Sequence, residues 1–230
     1  MPKFTVIIPT RNRPQYLGEA VASVLKQSLV DFELLIVNDG DTTLQHFNDQ
    51  RIHVLNNQSL GAVAARNLGV ANARGEYVAF LDDDDVWSRD DHLTHAANTL
   101  VKSADFYFAD GEMKFPDGST KLFAQAADAQ SLRRDNTILV SAICYKKSLH
   151  AKLGTFDLEL PYYWDWDWYL RVANGGAQLY RRAVPVVDIR IHAQNMSGDK
   201  NLPARRANLN LLELKHGLAK IELKGHLDFV

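Results

Sequence analysis

The sequence predicts an α/β protein: a mixed, mainly parallel sheet flanked by helices, with a C-terminal helical tail. Three observations predict it. Short apolar, β-branched runs recur at residues 4–8, 32–37, 52–55 and 76–81. Stretches of helical period lie between several of them. The first strand–helix–strand unit takes roughly 35 residues, the span of a right-handed crossover between parallel strands.

Taken in order, the first strand stops at Pro9 and opens into a polar loop, 10–13. Pro14 suits a helix start, and Tyr16, Leu17, Ala20, Val21, Val24 and Leu25 form one helical stripe. The second strand exits through Asn38-Asp39-Gly40. In open α/β sheets ligands bind outside the carboxyl ends of strands, so Asp39 sits where a carboxylate meets a ribose or base. The other reading is a turn aspartate before glycine. A short third strand precedes a helix at 61–73, whose Ala62, Ala65, Leu68 and Gly69 allow close packing and which carries Arg66 and Asn67. Gly75 ends it, and the fourth strand follows.

A helix at 91–101, a strand at 104–109 and a hairpin turn at Pro116-Asp117-Gly118 come next. Residues 124–136 carry no periodic signal. Residues 138–145 read as a strand, Trp164 onward as a helix stopped by Gly175-Gly176, and 184–191 as a last strand ending in His192. The tail, 205–226, is helix-patterned. Packing on the domain is its default role, with a homodimer contact or a membrane-surface contact as the others.

The 230 residues are 46% hydrophobic and 23% charged, which allows a sizeable core. A net charge of −2 gives no reason to expect a nucleic-acid partner. One cysteine, Cys144, excludes a disulfide within the chain and fits a reducing compartment. No apolar stretch approaches the roughly 20 residues that span a bilayer, so a cytoplasmic protein is expected.

The chemistry concentrates at Asp82-Asp83-Asp84-Asp85, directly after the fourth strand. Like charges this close repel unless solvent screens them or a cation neutralises them. An acidic run is often a solvated loop. At a buried strand end it is also a way to hold Mg²⁺ or Mn²⁺, which prefer hard oxygen ligands. Asp165 and Asp167 stand at a helix start, where the dipole keeps a carboxylate ionised. An N-cap beside an aromatic core stripe is the alternative. His192 reads either as a structural hydrogen-bonder or as a ligand.

Six segments in order carry a family resemblance. They are Val6-Ile-Ile-Pro-Thr-Arg-Asn-Arg13, Glu33-Leu-Leu-Ile-Val-Asn-Asp-Gly40, Gly61-Ala-Val-Ala-Ala-Arg-Asn-Leu-Gly69, Ala73 through Asp85, Phe156-Asp157 with Trp164-Asp-Trp-Asp167, and Arg190-Ile-His192 with Asn195-Met-Ser197. The chain resembles the inverting glycosyltransferases of family 2, which have the Rossmann-like GT-A fold. The resemblance implies a nucleotide-sugar donor, UDP-linked by preference, and a glycan or lipid-linked acceptor. It divides the chain into a donor half at 1–101, an acceptor half of the same domain at 102–200 and a tail at 201–230. It makes Asp165 the catalytic base. Pro9, Thr10, Arg13, Asp39, Arg66, Asp82 and Asp83 line the donor site. Asp84 and His192 hold Mn²⁺ or Mg²⁺, Asp85 caps the following turn, and Trp164, Trp166, Asp167 and Arg190 meet acceptor or phosphate. It also implies bacterial surface polysaccharide, lipopolysaccharide or glycolipid assembly, at the inner face of the cytoplasmic membrane.

Two places depart from the family pattern. Trp164 stands where a glutamate often precedes the base, which removes a second carboxylate and suggests that Tyr162, Tyr163, Trp164 and Trp166 stack on the acceptor. Asn38 replaces the first of a paired Asp-Asp. Two rival readings stay open. Asp82-Asp-Asp-Asp-Val86 also fits the nucleophile motif of Mg²⁺-dependent haloacid-dehalogenase-type phosphohydrolases, although that motif belongs on a first strand. A non-catalytic sugar-nucleotide-binding protein is the other.

Overall fold

A computed structural model describes residues 1–192, 195 and 201–224. Met196 and Ser197 of the closing motif, and residues 225–226 of the expected tail helix, lie outside the described residues. The first half is β1 (Phe4–Thr10), α1 (Pro14–Leu25), β2 (Phe32–Asn38), β3 (Ile52–Asn56), α2 (Ala62–Asn72) and β4 (Tyr77–Phe80). The second is β5 (Val86–Trp87), α3 (His92–Lys102), β6 (Phe106–Lys114), β7 (Thr120–Phe123), β8 (Ile143–Lys146), α4 (Ser148–Leu153), α5 (Trp164–Asn174), β9 (Leu179–Arg190) and α6 (Leu202–His216). One sheet runs through both halves in the order β3-β2-β1-β4-β8-β6-β9-β5, with β7 hairpinned onto β6. The first four strands pair in parallel. β8 then runs antiparallel to β4 and β6, while β9 is parallel to β6.

Every residue of β1 and β2 is buried, as expected for parallel strands covered on both faces. Alternation sorts their side chains between two cores. Ile7, Leu35 and Val37 join Phe80, Trp164 and Trp168 on one face. Val6, Ile8 and Leu34 join Leu17, Val21, Trp87 and Leu93 on the other. Glu33 is the charged exception inside β2. Burial raises its carboxyl, but hydrogen bonds from Thr5 and Arg74 outweigh that and hold it below the ordinary range. Thr5 Oγ1 donates to Glu33 at 2.6 Å and accepts the Gly75 N–H at 2.8 Å. This relay clamps the α2–β4 link onto the start of the sheet.

Four elements differ from the sequence expectation, each for a physical reason. The strand expected at 104–109 runs on as β6, Phe106–Lys114, because it pairs with β9 along its whole length. The same pairing starts β9 at Leu179, ahead of the expected 184. Pro185 is tolerated there at an irregularity in the β6–β9 register. Residues 140–142 turn as a short 3₁₀ helix before β8. The tail helix ends at His216, because Gly217 adopts the left-handed conformation (φ +57°) that closes a helix. Among the described residues no helix is long and apolar enough to cross a membrane.

Gly75 is the tightest point of this frame. A Cβ there would lie 2.4 Å from the Thr5 backbone nitrogen and 2.5 Å from the Phe4 carbonyl carbon. Backbone cannot yield as a side chain can, so Gly75→Ala should cost about 3 kcal/mol. Denaturant unfolding checks this, and a loss well under about 1 kcal/mol would contradict the packing described.

Candidate active site

β4 delivers its carboxylates into a tight turn, in which the Asp85 N–H bonds the Asp82 carbonyl at 3.1 Å. The turn splays the four side chains. Asp83 accepts from Thr10 Oγ1 at 2.7 Å and from Arg13 at 3.3 Å. Asp84 pairs with Arg13 at 2.7 Å and with His192 Nε2 at 2.9 Å. Asp82 is ion-paired with Arg66. Asp85 accepts from Ser141 Oγ at 2.5 Å and from the Arg190 N–H at 3.2 Å.

Burial governs the titration of Asp82, Asp83 and Asp85. It pushes Asp83 up to about 6, with the Asp84 charge adding and the Thr10 and Arg13 contacts subtracting. Burial, then the charges of Asp82 and Asp84, carry Asp85 well above the carboxylate range. Burial also raises Asp82, against the pull of Arg66. Asp82, Asp84 and Asp85 bring ligand oxygens within 4.8 Å of one another. Three hard oxygen donors that repel one another fit Mg²⁺ or Mn²⁺. The expectation for Asp85 is therefore revised: it belongs with Asp82 and Asp84, and Asp83 turns instead to Thr10 and Arg13. His192 reaches this group through Asp84, its ring stacked on Tyr16 at 5.7 Å.

A cavity of about 590 Å³ opens on the cluster. Pro9, Thr10, Arg13, Asp39, Arg66 and Asp82 through Asp85 line one part of it. Those residues come from the carboxyl ends of β1, β2 and β4 and from α2. Asp39 is held by Asn57 Nδ2 at 2.5 Å and the Gly61 N–H at 3.0 Å.

Asn136, Tyr162, Tyr163, Trp164, Asp165 and Trp166 line the other part. Asp165 stands in the first turn of α5 and accepts from Asn136 Nδ2 at 2.8 Å. Burial raises its carboxyl, and the Asn136 bond draws it partly back. Trp164 and Trp166 are only 7% and 3% exposed, so they build the wall and offer little face for stacking. Trp166 donates its indole N–H to the Leu132 carbonyl at 2.6 Å. The Arg66 guanidinium lies 4.5 Å over the Trp164 ring, joining the two parts of the cavity.

Three residues expected at the site lie off its wall: Asp167, Arg190 and His192, which meets the cluster through Asp84. Asp167 is fully buried behind it, bonded to Arg171, Lys215 and His216 at 2.8–2.9 Å. The Arg190 guanidinium turns to Glu19 and lies over Tyr16. The sequence reading missed Asn136 and Asn57, whose irregular segments carry no period, and Ser141, which it placed inside a strand. It also missed that the tail completes the cavity through Leu209, Ile221, Glu222 and Lys224. Only the apolar spacing of Leu209 and Ile221 hinted at it.

The glycosyl transferase family 2 profile matches residues 5–148, the segment that holds the whole carboxylate turn. The chain belongs to glycosyl transferase family 2. A Bacillus subtilis family relative, the uncharacterized glycosyltransferase YwdF, is 34% identical over 97% of this chain and 87% of its own length. The putative colanic acid biosynthesis glycosyl transferase WcaA of Escherichia coli is 30% identical over 74% of this chain and 66% of its own. Among solved structures, S. aureus TarS 1–349 in complex with UDP-GlcNAc superposes with a TM-score of 0.73 at 20% identity. That match covers 93% of this chain and 66% of TarS 1–349. Mannosyltransferase PcManGT from Pyrobaculum calidifontis, in complex with GDP-Man and Mn²⁺, gives 0.64 at 16% identity, covering 94% and 63%. The fold is therefore GT-A. The phosphohydrolase alternative falls with the family match.

Asp167 offers a pH test of the tail's attachment. Burial raises its carboxyl, but bonds from His216 and Lys215 prevail and hold it at about 2, below the ordinary 3.8. A depressed folded-state value stabilises the fold above pH 3.8 and loses that stabilisation as pH falls through about 2. Tm should drop across that window. Asp167→Asn should flatten this limb and cost about 2 kcal/mol at pH 7. A limb unchanged in the variant would argue against the tether.

Proposed function

We propose that this family 2 member is a metal-dependent, inverting hexosyltransferase. It moves a sugar from a nucleoside-diphosphate sugar, UDP-linked by preference, to an acceptor hydroxyl. The observation that carries the reading is that Asp165, a half-buried carboxylate hydrogen-bonded by Asn136, shares one cavity with the Asp82, Asp84 and Asp85 trio. A general base and an anion-neutralising centre are the two parts that displacement at an anomeric carbon needs.

In this mechanism Asp165 takes the acceptor's O–H proton. The acceptor oxygen then bonds the anomeric carbon as the carbon–oxygen bond to the diphosphate breaks. The electron pair leaves with the diphosphate. A base on the face opposite the leaving group gives inversion without a covalent enzyme intermediate. Arg13 lies against the carboxylate turn, with charge for the diphosphate side. A divalent cation, Mn²⁺ or Mg²⁺, held by Asp82, Asp84 and Asp85 would neutralise negative charge on the departing diphosphate.

The acceptor is a glycan or lipid-linked glycan of bacterial surface polysaccharide, lipopolysaccharide or glycolipid assembly. The colanic acid relative, and the teichuronic acid relative TuaG of Bacillus subtilis at 36% identity over 51% of this chain, support that setting. Leu211 and Leu214, which stay 49% and 82% exposed on α6, support a peripheral contact at the inner face of the cytoplasmic membrane. The same helix buries Leu209 and Leu212 in its own domain; a homodimer through its exposed leucines is the other use of that face.

The test is release of UDP from UDP-sugars with Mn²⁺. Asp165→Asn should lower transfer by a factor of about 10² or more while UDP still binds. Asp84→Ala should remove the Mn²⁺ dependence together with turnover. Binding without turnover in the intact chain would instead indicate a non-catalytic sugar-nucleotide-binding protein.

Asp165 also sets a pH limb. Its carboxyl is raised by burial, so kcat/KM should fall with acid at a pH above the ordinary carboxylate range. Arg66, Tyr163 and Tyr169 also face it electrostatically. Asn136→Ala removes a donor that favours the ionised form, so the limb should move to higher pH. A limb that stays in place would disconnect Asn136 from the base.

A further inference from the structure

The turn at residues 57–61 decides how many hydrogen bonds Asp39 has left. Asn57 is 3% exposed, and its amide N–H₂ donates to Asp39 Oδ1 at 2.5 Å and to the Gly61 carbonyl at 3.1 Å. The Gly61 N–H donates to the same Oδ1 at 3.0 Å. A carboxylate oxygen carries two lone pairs in plane, so Oδ1 is saturated. Oδ2 remains, with the exposed guanidinium of Arg11 3.9 Å away.

The turn is built to hold that arrangement. Gln58 and Ser59, adjacent and not glycine, both have positive φ, +55° and +58°. That conformation is strained for a residue with a side chain. Local bonds offset the cost: Asn57 N–H to the Asn38 carbonyl at 2.8 Å, Leu60 N–H to the Asn57 carbonyl at 3.3 Å, and Ser59 Oγ to the Asp39 carbonyl at 3.2 Å.

We infer that Asn57 makes Asp39 a reader of a single N–H donor, so that the site selects uracil or thymine over guanine. This rests on the nucleotide-sugar reading of the cavity. Uracil and thymine present one imide N–H between two carbonyls. That N–H matches Oδ2, and Arg11 is placed to meet a flanking carbonyl. Guanine presents two parallel donors, N1–H and the N2 amino group, which need both carboxylate oxygens. With Oδ1 filled, its second donor is left unpaired. Cytosine and adenine place a ring-nitrogen acceptor beside their amino group, which faces the carboxylate repulsively. Asn57 is a positioning residue here, acting through Asp39.

The experiment is calorimetric binding of UDP, dTDP, GDP, CDP, ADP and inorganic pyrophosphate to the full chain with Mn²⁺. UDP, GDP, CDP and ADP share ribose and diphosphate, so differences among them report the base, and dTDP adds thymine on a 2′-deoxyribose. UDP and dTDP should bind about tenfold or more tightly than GDP, CDP and ADP. Asn57→Ala frees a lone pair on Oδ1. It should narrow the UDP-to-GDP ratio by about tenfold and leave pyrophosphate affinity unchanged. GDP binding as tightly as UDP would overturn the inference. So would an unchanged UDP-to-GDP ratio in an Asn57→Ala protein that keeps its pyrophosphate affinity. If pyrophosphate and every nucleotide fail to bind the unaltered chain, the donor reading itself fails, and this inference with it.

Discussion

Placing four carboxylates at the end of a buried strand forces the rest of the molecule to supply charge and hydrogen-bond donors. β4 lies inside the sheet, between β1 and β8, so solvent cannot do the screening. Asp83, Asp84 and Asp85 are all under 10% exposed. The compensation arrives from distant parts of the chain: Thr10 and Arg13 after β1, Arg66 on α2, Ser141 before β8, and Arg190 and His192 at the end of β9. Those contacts knit the ends of the strands to one point. They still leave Asp82, Asp84 and Asp85 pressed together, and repulsion that the chain does not cancel is an opening for a cation.

Arg66 is where this charge problem meets the chemistry. It satisfies Asp82, returns a bond to the Ala62 carbonyl at 3.2 Å, and covers the Trp164 ring. Trp164 immediately precedes Asp165. A single guanidinium thus relates the carboxylate cluster to the helix that presents Asp165. Arginine suits the task because its planar head pairs with a carboxylate and stacks on an aromatic face at once.

The parallel half was legible in the sequence because its strands are buried on both faces and its helices pack with a steady period. β1, α1, β2, α2 and β4 fell close to their expected places, and motif residues at strand ends converged on one cavity. Legibility failed where long-range pairing, not local pattern, sets the structure. Two-residue β5 exists only because Val86 and Trp87 meet β9, and β9 begins early because β6 runs beside it. Asn57, Asn136 and Ser141 act through a few side-chain hydrogen bonds outside the regular helices and strands. Asp165 and Asp167 show the limit most clearly. Two residues apart on α5, they point to different sides of the helix. One faces the cavity and the other anchors the tail. Composition and spacing treat them alike, and only the partners of each tell them apart.

The two parts of the cavity are made of different material. The carboxylate side hangs on strand ends and a backbone turn, where a change of one residue disturbs the sheet. The Asp165 side is walled by loops, one helix start and the irregular segment 218–224, tied down by Arg206 to the Ile221 carbonyl and by Lys224 to Asp135. Loop replacements of that kind cost little stability. Mutational drift should therefore rewrite what this protein glycosylates far more readily than the nucleotide it draws on.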